Sequence, residues 1–226
     1  MSQPTSEPSK TKPTRGRPAE LTREQITAAA VAVADAEGLA AVTMRRLATE
    51  LSAGAASLYR HVTTRSQLVA RMVDRALSEA DPVPATGDWR ADIVTAHLRW
   101  LRYLRRRPWL LDAIAGQSLG SNALRLMEDN LRLIAPCQAS GPEKMEAITV
   151  LGGLVYTIAQ QESSQQRISD EKHLAAQIDL LRRAVNDGSH PHLAAALASP
   201  NPHPGESGDE RVARILHRAL DGLLPD

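Results

Sequence analysis

Between residues 43 and 65 the chain gathers side chains that donate hydrogen bonds. Thr43, Arg45 and Arg46 open one helical stretch, and Ser57, Tyr59, Arg60, His61 and Arg65 surround the next. Guanidinium, imidazole and hydroxyl groups of this kind reach phosphate oxygens and the acceptor edges of base pairs. Glu50 is the one acidic residue among them. On composition alone, a solvated helical surface is an equal reading of such a cluster. Upstream, Arg15, Gly16, Arg17 and Pro18 make an arm able to lay guanidinium groups into a minor groove, with a solvated tail as the competing reading.

Other reactive patterns are weaker. Gly116, Gln117, Ser118, Leu119 and Gly120 spell the G-x-S-x-G of a nucleophile elbow, but that motif needs a strand before it and a helical pattern precedes it here. His190 and His192 flank Pro191 with no carboxylate or cysteine to complete a metal site, and read as loop residues. Cys137, beside Pro136, is a lone thiol and reads as inert. No catalytic residue, metal or cofactor is implied, and the chain is not expected to be an enzyme.

The elements that must position the basic cluster announce themselves through caps. Thr22 with Gln25 is a capping box, Leu21 with Ile26 its hydrophobic staple, and Gly38 the stop of a first helix. Thr43 caps a short second helix, whose Leu47, Ala48 and Leu51 form one apolar side. Ser52, Ala53 and Gly54 make a turn, and residues 55–61 hold only about two helical turns. Thr64 with Gln67 opens a fourth helix that buries Leu68, Val69, Met72, Val73 and Ala76. Two short helices joined by a tight turn against a longer one have the proportions of a helix-turn-helix.

Asp81, Pro82, Pro84 and Gly87 break the pattern. Helices are then expected at 89–107, 109–116, 122–135, 142–167, 170–187 and 209–223, with no convincing strand alternation. Pro108 ends the first of these, Ser140 and Pro142 begin the longest, and Ser199 to Gly208 is a loop of breakers. The fold class is therefore all-α. Residues 1–18 are a disordered basic arm, 19–80 a helix-turn-helix domain, and 81–226 a second helical domain.

Charge distribution agrees. The whole chain carries a net +1, yet residues 1–80 hold 11 Lys and Arg against 8 Asp and Glu. A single cysteine excludes an internal disulfide framework. No stretch has the roughly 20 uninterrupted apolar residues of a membrane span, and the polar, Pro-rich start is no signal sequence. A reducing cytoplasm is the expected location.

The run TREQITAAAVAVADAEGLAAVTMRRLATEL followed by SLYRHVTTRSQLVARMVD resembles the TetR family of transcriptional regulators over about residues 21–77. The resemblance implies that Arg45 approaches a base or adjacent phosphate, that Tyr59 and His61 hold the backbone, and that Arg65 grips a phosphate. It also implies that Gly54, Ala55, Ala56, Ser57 and Arg60 face the groove. With Ala55 and Ala56 so small, Arg45, Ser57 and Arg60 must carry the direct readout. The Tyr59 ring is expected to pack into the small core while its hydroxyl meets phosphate. The family usually places Gly in the turn where this chain has Ser52, so a positive φ there would cost about 1 kcal/mol unless Gly54 absorbs it.

In the C-terminal half, Val212, Ile215, Leu216, Ala219, Leu220 and Leu223 form an apolar stripe, and Leu151, Leu154, Val155 and Ile158 lie on a helix apolar over a wider arc. The resemblance implies that these stripes meet their symmetry mates in a homodimer; an intramolecular core is the competing reading. Polar-tipped or large side chains suited to a ligand pocket are His97, Trp100, Tyr103, Trp109, Met127, Asn130, Tyr156 and Gln160. The leading reading is a repressor released from a palindromic operator by a small molecule of unknown identity. An effector-independent regulator or architectural protein comes second, and an all-helical enzyme a remote third.

Overall fold

The computed structural model describes residues 21–115, 120–167 and 171–224. The basic arm with Arg15, Gly16 and Arg17, and the first four residues of the G-x-S-x-G motif, lie outside them. The described residues contain eleven α-helices and no strand. They are α1 (Arg23–Glu37), α2 (Met44–Glu50), α3 (Ala55–Tyr59), α4 (Arg65–Ser78), α5 (Trp89–Arg106), α6 (Trp109–Ile114), α7 (Ser121–Leu133), α8 (Gly141–Arg167), α9 (Glu171–Asn186), α10 (Pro191–Ala198) and α11 (Gly208–Leu223).

Caps set the N-terminal boundaries. Thr22 and Gln25 bond reciprocally, with Gln25 N donating to Thr22 Oγ1 at 3.1 Å and Thr22 N to Gln25 Oε1 at 2.9 Å. Thr43 and Thr64 accept from the backbone N–H groups of Arg46 and Gln67. Gly38 ends α1 at φ 84°, where a Cβ would be strained. Ser52 in the turn takes φ 48° itself, while Gly54 keeps φ −72°; the glycine does not absorb the strain.

Helix α4 packs on α1 and α7, α5 packs on α8 and α11, and α11 also packs on α8. Fully buried Ile26, Leu47, Leu58, Leu68 and Met72 bind the four N-terminal helices to one another. Ile93, Leu101, Leu104, Leu151 and Leu216 play that part among the later helices. An ion-pair network ties the latter group at its rim, where Arg105 on α5 meets Glu162 on α8 at 2.7 Å and Asp209 on α11 at 2.6 Å. Hydrogen bonds to Glu162 outweigh burial and raise the Arg105 pKa, so this group stays charged.

Two expectations need correction. Leu151, Val155, Val212, Leu216 and Leu220 are buried inside the single chain, because α8 and α11 spend those positions on each other and on α5. Only Leu154, Ile158, Ile215, Ala219 and Leu223 of the two stripes stay partly open. His190 and His192 are not loop residues, since His190 is the N-cap of α10 and His192 lies within it. Pro191, which reads as a breaker, occupies the first helical turn, where its missing N–H costs nothing. Asp88, unnoticed as a signal, caps α5 by accepting from Ala91 N at 3.1 Å.

Candidate nucleic-acid interface and interior cavity

The sequence places two adjacent arginines at the start of α2, and their surroundings separate them. Arg46 is held in the chain: its Nε and Nη2 both donate to Glu37 Oε1, at 3.2 and 2.8 Å, and its Nη1 donates to Glu50 Oε2 at 2.7 Å. Those hydrogen bonds, Glu37 first, raise its pKa. The Arg45 side chain is exposed and has no hydrogen-bond or ion-pair partner among the described residues. Glu50, the lone acid of the cluster, is therefore neutralised by the arginine one turn before it.

Around α3, Gly54 and Ala56 are exposed and Ser57 is half-buried. Arg60 Nη2 donates to Ser57 Oγ at 3.1 Å, which joins two candidate readers into one unit. Thr43 is exposed with its oxygen engaged by Arg46 N, leaving its hydroxyl hydrogen to donate outward. Arg65 is exposed, yet its Nη2 donates to the Leu39 carbonyl at 3.0 Å, so the side chain lies back along the turn after α1. His61 is half-buried, and its carbonyl accepts from Arg71.

Tyr59 departs from expectation. Its ring is 58% exposed and does not plug the three-helix core; Leu58, at 0%, does. A five-residue helix has one inward position, and Leu58 fills it. The residue is more than half open to solvent, as are its neighbours Ala56 and Arg60.

A second feature lies between α4, α5, α7 and α8: a cavity of about 620 Å³. Its walls include Val73 and Leu77 from α4, Ala96, His97, Trp100 and Tyr103 from α5, Met127 and Asn130 from α7, and Ile148 from α8. This size suits a drug-sized molecule, and a mainly apolar lining with a few polar groups is the usual build of a small-molecule site. Trp100 and Tyr103 stack at 5.5 Å with 16° between their planes. Asn130 gives its amide N–H to Leu126 O at 2.8 Å, leaving its oxygen to accept. His97 is buried, with Nδ1 donating to Ile93 O at 2.9 Å. Burial lowers its pKa, against the opposing pull of the Ile93 and Ile148 carbonyls, so the ring is neutral near neutral pH.

Five of the eight side chains singled out for a pocket, His97, Trp100, Tyr103, Met127 and Asn130, meet at this cavity. The other three do not. Trp109 is buried on α6 with its indole N–H donating to Asp35 Oδ1 at 2.6 Å, Tyr156 donates to Leu111 O at 2.8 Å, and Gln160 donates to the Tyr156 hydroxyl at 3.0 Å. The polar ends of Trp109 and Tyr156 are spent on bonds to other helices, and that of Gln160 on Tyr156 within α8. Asp74 was missed as a wall residue. It spans α4 and α7, accepting from Asn122 N and Nδ2 at 2.9 Å each, and no local pattern links residues 48 apart in sequence.

Comparison with known proteins covers both halves. The model of bacterial regulatory proteins of the tetR family matches residues 26–72, and that of the tetracyclin repressor-like C-terminal domain matches residues 81–225. The chain is 35% identical over 221 residues to the HTH-type transcriptional repressor DrrR1 of Streptomyces coeruleorubidus, covering 94% of this chain and 80% of that one. It is 28% identical over 191 residues to an HTH-type transcriptional regulator of Saccharopolyspora erythraea, covering 84% and 78%. The structure of the TetR family protein ActR of Streptomyces coelicolor in complex with actinorhodin superposes with a TM-score of 0.75 at 29% identity, covering 91% of this chain and 96% of that one.

Proposed function

The chain belongs to the tetR family of bacterial regulatory proteins and is a DNA-binding transcriptional regulator, and from that premise we propose that it is a homodimeric repressor released from a palindromic operator by a small molecule. The observation that carries the reading is the cavity itself. It holds about 620 Å³ and is walled by α4, the helix that leads out of the helix-turn-helix. ActR, similar along nearly its whole length, is known in complex with actinorhodin, which supports a multi-atom effector here.

Residues 19–80 serve as the reading domain and 81–226 as the effector and dimer domain. Arg45 and the Arg60–Ser57 pair read bases, while Thr43, Tyr59, His61 and Arg65 hold phosphates. Leu154, Ile158, Ile215, Ala219 and Leu223, left partly open on α8 and α11, meet a two-fold partner, as a palindrome requires. An occupant of the cavity that favours one spacing of the paired α3 helices over another shifts operator affinity by its differential affinity for the two states.

The test is footprinting of the purified protein across its own gene neighbourhood, followed by titration of the footprinted duplex with candidate compounds, actinorhodin among them. A compound that releases the wild type and fails to release Ala123→Trp, in which an indole fills the cavity, is the expected result. Sequence-specific binding that no compound weakens would favour an effector-independent regulator.

A further inference from the structure

Tyr103 lines the cavity, and its hydroxyl bonds two residues that do not, Ala76 and Arg107. Its ring stacks on Trp100. The hydroxyl donates to the carbonyl of Ala76, in the last full turn of α4, at 2.6 Å. The same hydroxyl accepts from Arg107 Nη1, and the Arg107 guanidinium sits 5.1 Å from the centre of the Tyr103 ring. Arg107 in turn reaches two acids of the N-terminal helices: Nη1 lies 2.6 Å from Glu79, the residue that caps α4, and Nε lies 3.2 Å from Asp35 near the end of α1.

We propose that Tyr103 is the positioning residue through which the cavity wall sets the end of α4 and, by way of Arg107, the end of α1. Two features carry this. The one hydrogen of the hydroxyl is committed to Ala76, so it cannot donate to an occupant of the cavity without giving up the α4 contact. Helices α1 and α4 pack on each other, α2 packs on α1, and α3 packs on α2. A displacement of the phenol ring by an occupant therefore reaches α4 through a bond of normal length and α1 through one further side chain. This proposal rests on the effector-released reading for its biological use, but the connection itself is testable with no effector at all.

Tyr156 supplies a matched control. It too is a half-buried tyrosine of the C-terminal helices whose hydroxyl donates to a backbone carbonyl, that of Leu111 at 2.8 Å, and the partners of that hydroxyl, Leu111 and Gln160, lie on α6 and α8. Tyr103→Phe and Tyr156→Phe each remove one oxygen and two hydrogen bonds, one donated to a backbone carbonyl and one accepted from a side chain, Arg107 in the first case and Gln160 in the second. The expected result is a change of at least about fivefold in operator affinity for Tyr103→Phe and of less than about twofold for Tyr156→Phe, at similar losses in thermal midpoint. Hydrogen exchange on the free full-length protein should accelerate at Glu79 and Ala80, and at Gly38 on the end of α1, in the first variant only. Equal operator shifts in the two variants, or unchanged exchange at the ends of α4 and α1 in Tyr103→Phe, would overturn the proposal. A chain that binds operator but answers no compound sinks the effector reading and leaves this result standing.

Discussion

The indole N–H of Trp109, on α6, donates to Asp35 Oδ1 on α1 at 2.6 Å, and the same carboxylate oxygen receives Arg107 at 3.2 Å. One acid thus anchors two residues of the C-terminal half to the DNA-reading half. Trp109→Phe keeps an aromatic ring but deletes the donor and shrinks a buried side chain, so it should destabilise the protein by about 2–4 kcal/mol, the worth of a hydrogen bond to a charged group plus that of the space left behind. Urea unfolding measures this. Because Trp109 does not line the cavity, effector affinity should hold within about twofold, and a larger loss would return the indole to the ligand site.

The contrast between Arg45 and Arg46 gives a prediction on DNA. Arg45→Ala should weaken operator binding by about 1–3 kcal/mol and alter base preference, with little change in the slope of log affinity against log salt. A slope lowered by about one unit, with equal losses on every sequence, would place the guanidinium on a phosphate instead. Arg46→Ala, whose guanidinium is already engaged by Glu37 and Glu50, should alter operator affinity less than about twofold. Similar losses in both variants would refute the division.

Ser52 is the one described residue other than glycine with positive φ. Placing Gly there removes the clash of Cβ with the backbone and returns some of that gain as added freedom of the unfolded chain. Ser52→Gly should raise stability by a net amount of about 0.5–1 kcal/mol. Its thermal midpoint should rise with operator affinity unchanged, and a fall would mean that the serine hydroxyl is worth more than the strain.

Gly120, just before α7, has no room for a side chain, since a Cβ would collide with the carboxylate of Asp74. That carboxylate caps α7 through Asn122 N. Gly120→Ala should therefore displace the cap at about 1–2 kcal/mol. In a double-mutant cycle with Asp74→Ala the second change should add little to the first. Full additivity would show that the two sites act apart.

His97 gives a pH dependence of defined sign. Burial holds its folded-state pKa below that of free imidazole, so between the two values the unfolded chain binds a proton that the folded chain refuses. Stability from this group is complete above about pH 6.5 and falls as the pH drops toward the folded-state value. His97→Gln should flatten the plot of thermal midpoint against pH between about 7.5 and 5.5. Parallel plots for the two proteins would contradict the assignment.

Much of the helical framework was legible because caps and stripes are local. Thr22 with Gln25, Thr43 with Arg46 and Thr64 with Gln67 are bonds across three residues, and the apolar face of α4 repeats within one turn. The helix missed, α10, was hidden by Pro191, whose effect depends on whether it sits inside a helix or at its first turn. The cluster of cations between 43 and 65 was equally visible, as was the apolar character of α8 and α11.

The sequence by itself determined the all-helical architecture, the order of its helices other than α10 and the presence of a basic helix-turn-helix, since those follow from residue type and spacing over a few positions. Only the tertiary structure decided which cation is free and which is bound, because Glu37 reaches Arg46 from the end of another helix. It also decided that Tyr103 faces a cavity while Tyr156 does not, and that Leu151 and Leu216 are interior where Leu154 and Ile215 are partly open. The physical reason is range: a cap closes over three residues, whereas Tyr103 meets Ala76 across 27 and Trp109 meets Asp35 across 74. Contacts of that span depend on how whole helices cross, and no local pattern encodes it.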